Sequence, residues 1–210
     1  MVYLSFMDTH SAGYIPVVIV SILISLVIHE FMHGYVGYLL GDTTAKDEGR
    51  LTLNPLQHID PFMTIALPIL SILAFGVPVL AAKPVPFNPN RVKYDDYGAA
   101  LLAAAGPFSN LLLAILGGLL VNHVLVVDSW WSQALTVFTQ LNVALFVFNL
   151  LPIPPLDGSR VLYAFAPEPV RDFMRAMEPY GLFIVFGLVL FAGAGHFLTN
   201  LNLFVLNHLP

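Results

Sequence analysis

Apolar residues in this chain come in long blocks separated by short polar connections, and the blocks are too long to be strands. Residues 14–40 read YIPVVIVSILISLVIHEFMHGYVGYLL, and residues 97–121, 133–151 and 180–197 or somewhat beyond have the same character. Each approaches or passes the ~20 apolar residues with which a helix crosses the hydrocarbon core of a bilayer. A fifth block, 61–82, is apolar enough but carries Pro68 and Pro78, which suit a broken segment. Two stretches in the connections look extended. Arg50-Leu51-Thr52-Leu53-Asn54 alternates polar and apolar residues, and Lys83-Pro84-Val85-Pro86-Phe87 is held out of helix by its prolines. They either pair as a small sheet at the membrane surface or remain proline-rich loops.

Composition narrows the class. Of 210 residues 58% are hydrophobic and 10% charged, with a mean hydropathy of +0.81, whereas a soluble domain is about one-quarter charged. The expected fold is therefore an all-α polytopic integral membrane protein. It has about four full spans plus one proline-broken or re-entrant segment, and short extended segments on the cytoplasmic side. Little sequence is left for a soluble unit, so residues 1–210 are expected to form one membrane-embedded domain. The net charge of -5 is modest and no basic run points to nucleic acid. Cysteine is absent, which excludes disulfides and thiol nucleophiles. The start MVYLSFMDTH has no basic residue before the first apolar block, so a removable signal peptide is not expected.

Positive charge sets the expected topology. Lysine and arginine fall in three groups: Lys46 and Arg50; Lys83, Arg91 and Lys93; Arg160, Arg171 and Arg175. If 61–82 dips in and returns, all three groups lie on the cytoplasmic side, and Trp130 and Trp131 mark the outer interface. The alternative is five full spans with one basic loop outside. The first arrangement leaves no basic loop on the wrong side and is preferred.

Against that background the stretch VIHEFMH is costly, because it places His29, Glu30 and His33 inside an apolar helix. Residues four apart on a helix share a face, so both imidazoles can reach one zinc ion while Glu30 lies beside the metal as a proton acceptor. The plain alternative is hydrogen bonding of these groups to neighbouring helices. A hydrolytic zinc site needs a third protein ligand, and Asp157 in NLLPIPPLDG is the candidate; it would otherwise be the N-cap of the following helix. With Tyr14 at the outer interface, His29 and His33 lie ~22–28 Å down the first span, at the depth where the span before Asp157 ends. Gly106 and Pro107 in AGPFSN are expected to loosen the second span, and Asn110 is polar at lipid depth, where an interhelical hydrogen bond would also account for it.

Taken together, HEFMH, GRLTLNPLQHIDP, AKPVPFNP, AGPFSN and FNLLPIPPLDG resemble the site-2 protease family of intramembrane zinc metalloproteases, in the expected order over roughly residues 15 to 165. The small bacterial members without a peptide-binding domain are the nearest in layout. The resemblance implies one catalytic Zn2+ held by His29, His33 and Asp157, with Glu30 as general base. It also implies that Asn149 assists at the substrate carbonyl or oxyanion and that Asn110 lines the site. Leu51, Leu53, Val85 and Phe87 would border the substrate cleft. His58 would stand in the site wall or simply fix its loop. In larger relatives a preceding span can form a gate, which 61–82 or the C-terminal span would replace here.

The implied activity is hydrolysis of peptide bonds within or near transmembrane segments, near the cytoplasmic face of the bacterial cytoplasmic membrane, with membrane proteins as substrates. The rival is a catalytically inactive or transport-type zinc-binding membrane protein. A transporter should show further acidic or histidine ligands along a path, yet Glu30 is the sole acidic residue within the four full spans.

Overall fold

The computed structural model describes residues 13–66, 69–71, 73, 83–124, 126, 129–190 and 192–210. The described chain is helical. Helix α1 is Tyr14–Leu39 and a single turn, α2, is Thr44–Asp47. Helices α3 (Asp95–His123) and α4 (Trp130–Asn149) follow, then α5 (Asp157–Phe165) and α6 (Glu168–Met177). Gly181–Leu190 (α7) and Ala192–His208 (α8) complete the set. Three of these, α1, α3 and α4, are long and apolar enough to cross a membrane. The block expected at 180–197 falls on α7 and α8, with residue 191 outside the described residues. The segment 61–82 starts as a π-helical stretch, Pro61–Ala66. Its remainder lies largely outside the described residues, as do residues 1–12.

The packing is inverted relative to a soluble bundle. On α1, Val17, Ser21, Ser25, His29, His33 and Gly37 recur every four residues and are buried, while Ile15, Ile19, Val20 and Ile24 are exposed. Helix α3 answers with Gly98, Leu102, Gly106, Asn110, Ala114 and Gly117, and α4 with Ser132, Thr136, Thr139, Asn142 and Val143. Small residues on facing helices let backbones approach closely, which is how helices associate where lipid gives apolar side chains no reason to hide. Helix α3 is the centre of the bundle and packs on α1, α4 and α5. A purely apolar cluster of Ala114, Val143, Val147 and Leu206 joins α8 to α3 and α4.

Helix termini explain how the connections reach the site. Helix α1 ends in a Schellman motif: Gly41, at φ +100, donates to Tyr38 O and Asp42 donates to Gly37 O. Helix α4 starts at Ser129, whose Oγ accepts the Ser132 amide at 3.1 Å. Helix α3 continues through Pro107 rather than ending there. The ring removes one backbone donor, and close packing of the Gly106–Pro107 face offsets that loss.

Among the described residues no strand forms, so the two extended segments do not pair as a sheet. Prolines 84 and 86 lack the amides that a ladder needs. Side chains join the segments instead. The Arg50 guanidinium donates to Gln57 O, to Lys83 O at 2.7 Å and to Pro84 O at 3.4 Å. At the other end of the second segment, Asp42 Oδ2 accepts the Asn88 amide at 2.6 Å. Arg171 and Asp96, 2.6 Å apart, tie α6 to the start of α3.

Candidate active site

Helix α1 delivers His29 and His33 to one face, and the bend after α4 brings Asp157 to the same point. His29 Nε2 and His33 Nε2 are 3.0 Å apart, and Asp157 Oδ2 lies 3.2 and 3.4 Å from them. Asp157 is the first residue of α5, with Leu156 at the N-cap, so the capping alternative does not hold. Gly158 lets the chain turn there, since a Cβ would lie 2.2 Å from Leu150 O.

The other ring nitrogens fix what this convergence can offer a ligand. His29 Nδ1 faces Asn110 Oδ1 at 2.6 Å and His33 Nδ1 faces Leu102 O at 2.8 Å. Both partners are acceptors, so each Nδ1 carries the proton and each Nε2 presents a lone pair. Two lone pairs and a carboxylate oxygen aimed at one point repel one another unless a cation lies between them. Ligands ~2.0–2.1 Å from a tetrahedral zinc sit about 3.3 Å from one another. The observed separations, 3.0 to 3.4 Å, fit that requirement. Second-sphere acceptors on metal-bound histidines are the usual way to fix tautomer and ring orientation.

Gly106 completes the pocket from α3. A Cβ there would lie 2.3 Å from His33 Nε2 and 2.7 Å from His29 Nε2, so any side chain would enter the space the donors share. Glu30 projects from the same turn of α1, and its Oε2 accepts the Val85 amide at 3.0 Å. That bond lays the segment 83–88 along α1, where Val85 Cγ1 and Leu51 Cδ1 approach Gly34 at 3.4 and 3.5 Å if a Cβ is built there. Beyond Phe87 opens a cavity of about 300 Å³ lined in part by Pro154, Pro155, Ser159 and Arg160. The Arg160 guanidinium sits over the Phe87 ring at 4.8 Å.

The expected site residues therefore divide. His29, His33 and Asp157 come together, Glu30 adjoins them, and Asn110 is bonded to His29. Leu51, Val85 and Phe87 lie beside this group. Leu53 is exposed, and the Asn149 amide nitrogen donates to Leu145 O along its own helix at 2.9 Å. His58 fixes its loop: Nε2 bonds Thr52 O at 2.8 Å, and its carbonyl accepts the Lys83 amide. Leu102 O, Asp42, Arg50 and Asn142 also shape the site, and the sequence did not single them out. Only Asn142 carried a signal, a polar residue in an apolar span, the same signal that marked Asn110.

Helices that bring two imidazoles and a half-buried carboxylate to one point, with a second carboxylate on the adjoining turn, define a membrane metalloenzyme. The comparisons with known proteins name the family. Residues 117–192 match the model of peptidase family M50. YwhC of Bacillus subtilis (strain 168) is 41% identical over 184 residues, 84% of this chain and 80% of its own. Rip2 of Mycobacterium tuberculosis (strain ATCC 35801 / TMC 107 / Erdman) is 35% identical over 186 residues, 86% of this chain and 68% of its own. Rip2 of Mycolicibacterium smegmatis is 32% identical over 193 residues, 85% of this chain and 68% of its own. All three carry provisional names as zinc metalloproteases. No solved structure matches the chain. The chain belongs to peptidase family M50, the site-2 protease family its motifs resemble. With that membership go the enzyme class, a metalloprotease, and the metal, zinc, which the three-donor cluster could hold.

Proposed function

We propose that this protein is an intramembrane zinc metalloprotease that cleaves membrane proteins within or near their transmembrane segments. The observation that carries the reading is the meeting of His29 Nε2, His33 Nε2 and Asp157 Oδ2 inside an apolar bundle, with the Glu30 carboxylate on the same turn. In this reading His29, His33 and Asp157 hold the ion. When bound, zinc supplies Lewis acidity, bringing the pKa of water down towards ~7 and polarising a peptide carbonyl. Glu30 takes the proton from the attacking water and delivers it to the leaving amine. Asn149, after turning from Leu145 O, holds the carbonyl oxygen that becomes negative.

A transmembrane helix hides its carbonyls in its own hydrogen bonds, so the substrate must unwind before attack. The segment 83–88 is the edge along which it does so, with Val85 and Phe87 against the unwound strand and Leu51, Leu53 and Asn110 bordering it. Strand addition here relies on carbonyls beyond Pro84 more than on amides, because Arg50 bonds the Lys83 and Pro84 carbonyls, Pro84 and Pro86 have no N–H, and Glu30 and Asp42 hold the Val85 and Asn88 amides. The proposed topology has four spans, the fourth at 180–197, and a re-entrant 61–82, in one domain over 1–210. It sets the site towards the cytoplasmic side of the bacterial cytoplasmic membrane, which is where the basic loops belong.

The test is cleavage of a transmembrane substrate by purified protein in lipid. Zinc-dependent cleavage that disappears in Glu30→Gln is the expected result. Cleavage that persists in that variant removes Glu30 from the mechanism, and a wild type that binds zinc but cleaves nothing favours the inactive or transport-type alternative.

A further inference from the structure

The proton position on His29 depends on Asn110, and Asn110 does not orient itself. Its Nδ2 donates to Asn142 Oδ1 at 2.9 Å and to Ser25 O at 3.3 Å. Asn142 in turn donates from its own Nδ2 to Phe138 O at 2.9 Å. A backbone carbonyl can only accept, so Phe138 O fixes which end of the Asn142 amide is nitrogen. Its oxygen must then face Asn110, the Asn110 nitrogen must face Asn142, and the Asn110 oxygen must face His29 Nδ1. Each donor and acceptor along the line is set by the one before it, with Ser25 O a second, longer hold on the Asn110 nitrogen.

From this we infer that Asn142 is a positioning residue for the metal centre. Through Asn110 it holds His29 in the tautomer whose Nε2 lone pair is free for zinc. This rests on the zinc-site reading of His29, His33 and Asp157. Asn142 and Asn110 are both fully buried, at 0% exposure, in the contact of α3 with α4. Nothing polar in solvent can substitute for either. Without Asn142, Asn110 keeps the longer bond to Ser25 as its remaining anchor and can turn its nitrogen towards His29. The His29 proton then moves to Nε2, where it occupies the lone pair the metal needs. A stripe of hydroxyls and amides along α4 would otherwise read as interhelical glue. Asn142 differs from its neighbours in that its bond continues to the metal centre. Thr136 bonds back to Ser132 O in its own helix, and the Thr139 hydroxyl has no partner among the described residues.

The experiment is zinc affinity by competition with a chromophoric chelator, on full-length protein stripped of metal in detergent or lipid. Removal of outer partners of metal-bound histidines typically weakens metal binding on the order of 10–100-fold. Asn142→Leu should show that loss while Thr139→Val, equally buried one turn away, should bind zinc as wild type. Asn142→Ala serves if the leucine variant does not fold. The decisive readout is the double variant: in an Asn110→Ala background, Asn142→Leu should cause no further loss, because the link it acts through is gone. Wild-type affinity in the Asn142 variants overturns the inference, and so does a loss that simply adds to that of Asn110→Ala, which would mean a structural effect. A wild type that binds no zinc instead overturns the metal site itself.

Discussion

The metal cluster and the segment that runs past it are built by opposite means. The cluster stands on helices: α1 spaces the histidines, α3 supplies Leu102 O, Gly106 and Asn110, and α5 opens with Asp157. Its geometry comes from helical repeat and from contacts so close that glycine alone fits. The segment 83–88 has no secondary structure of its own. It is held at its two ends by buried charges, Arg50 at 4% exposure and Asp42 at 2%, and in the middle by the bond from Val85 to Glu30. Chemistry that must be exact sits on rigid elements, and the part that receives an unwinding helix in the proposed function is fastened at points and free between them. Perturbing the first region should abolish metal binding or catalysis outright, and perturbing the second should alter how substrate is held.

Gly106→Ala separates the two regions most sharply. Its methyl group would enter the space between the donor nitrogens, so zinc affinity should fall by at least ~100-fold, the upper end of the range for outer-sphere changes. Chelator competition measures this, and retention of wild-type affinity would show that the imidazoles have room to move aside.

Arg50→Met acts on the other region. It removes a buried guanidinium that donates to three carbonyls and leaves those carbonyls without a donor. Hydrogen bonds from a charged group contribute about 1.5–3 kcal/mol each. KM for a transmembrane substrate should rise by ~10-fold or more, since 1.4 kcal/mol is a factor of ten, while zinc affinity stays unchanged. A fall in zinc affinity would mean that the two regions are not separable.

The smallest effect concerns pH. Burial pushes the Asp42 carboxyl up, but bonds from the Thr44 hydroxyl, the Asn88 amide and the Thr44 amide, with Arg91 nearby, outweigh it and hold the group below its ordinary value. A carboxyl with a depressed folded-state pKa contributes stability that is full above the unfolded value, ~4, and is lost as pH falls through the folded one. Protease nicking of the loops around 42–58 and 83–93 should therefore increase below about pH 4 in wild type. In Asp42→Asn it should be raised at neutral pH and depend little on acid.

Much of the first region was legible because helices carry their geometry in the sequence. His29 and His33 are four apart, and Asp157 ends a proline-rich turn after a span of matching depth. What was not legible were through-space neighbours that no spacing encodes: Leu102 O behind His33, Gly106 against both rings, and Asn142 behind Asn110. Loops were legible only as loops. Alternation at 50–54 suggested a strand, yet the residue that matters there, Arg50, ties the two segments by side chain where prolines forbid a ladder. Pro107 does not end its helix, and whether a proline stops a buried span depends on packing that its own position in the sequence does not encode.

Zinc stoichiometry of the purified variants separates the metal donors from the proton acceptor. Glu30→Gln removes the proton acceptor but no metal donor, while His33→Ala and Asp157→Asn each weaken the donor set. Glu30→Gln should keep one zinc per chain with cleavage reduced by ~100- to 10,000-fold, and His33→Ala should lose its zinc. Full zinc occupancy in both donor variants, or its loss in Glu30→Gln alone, would contradict this division of roles.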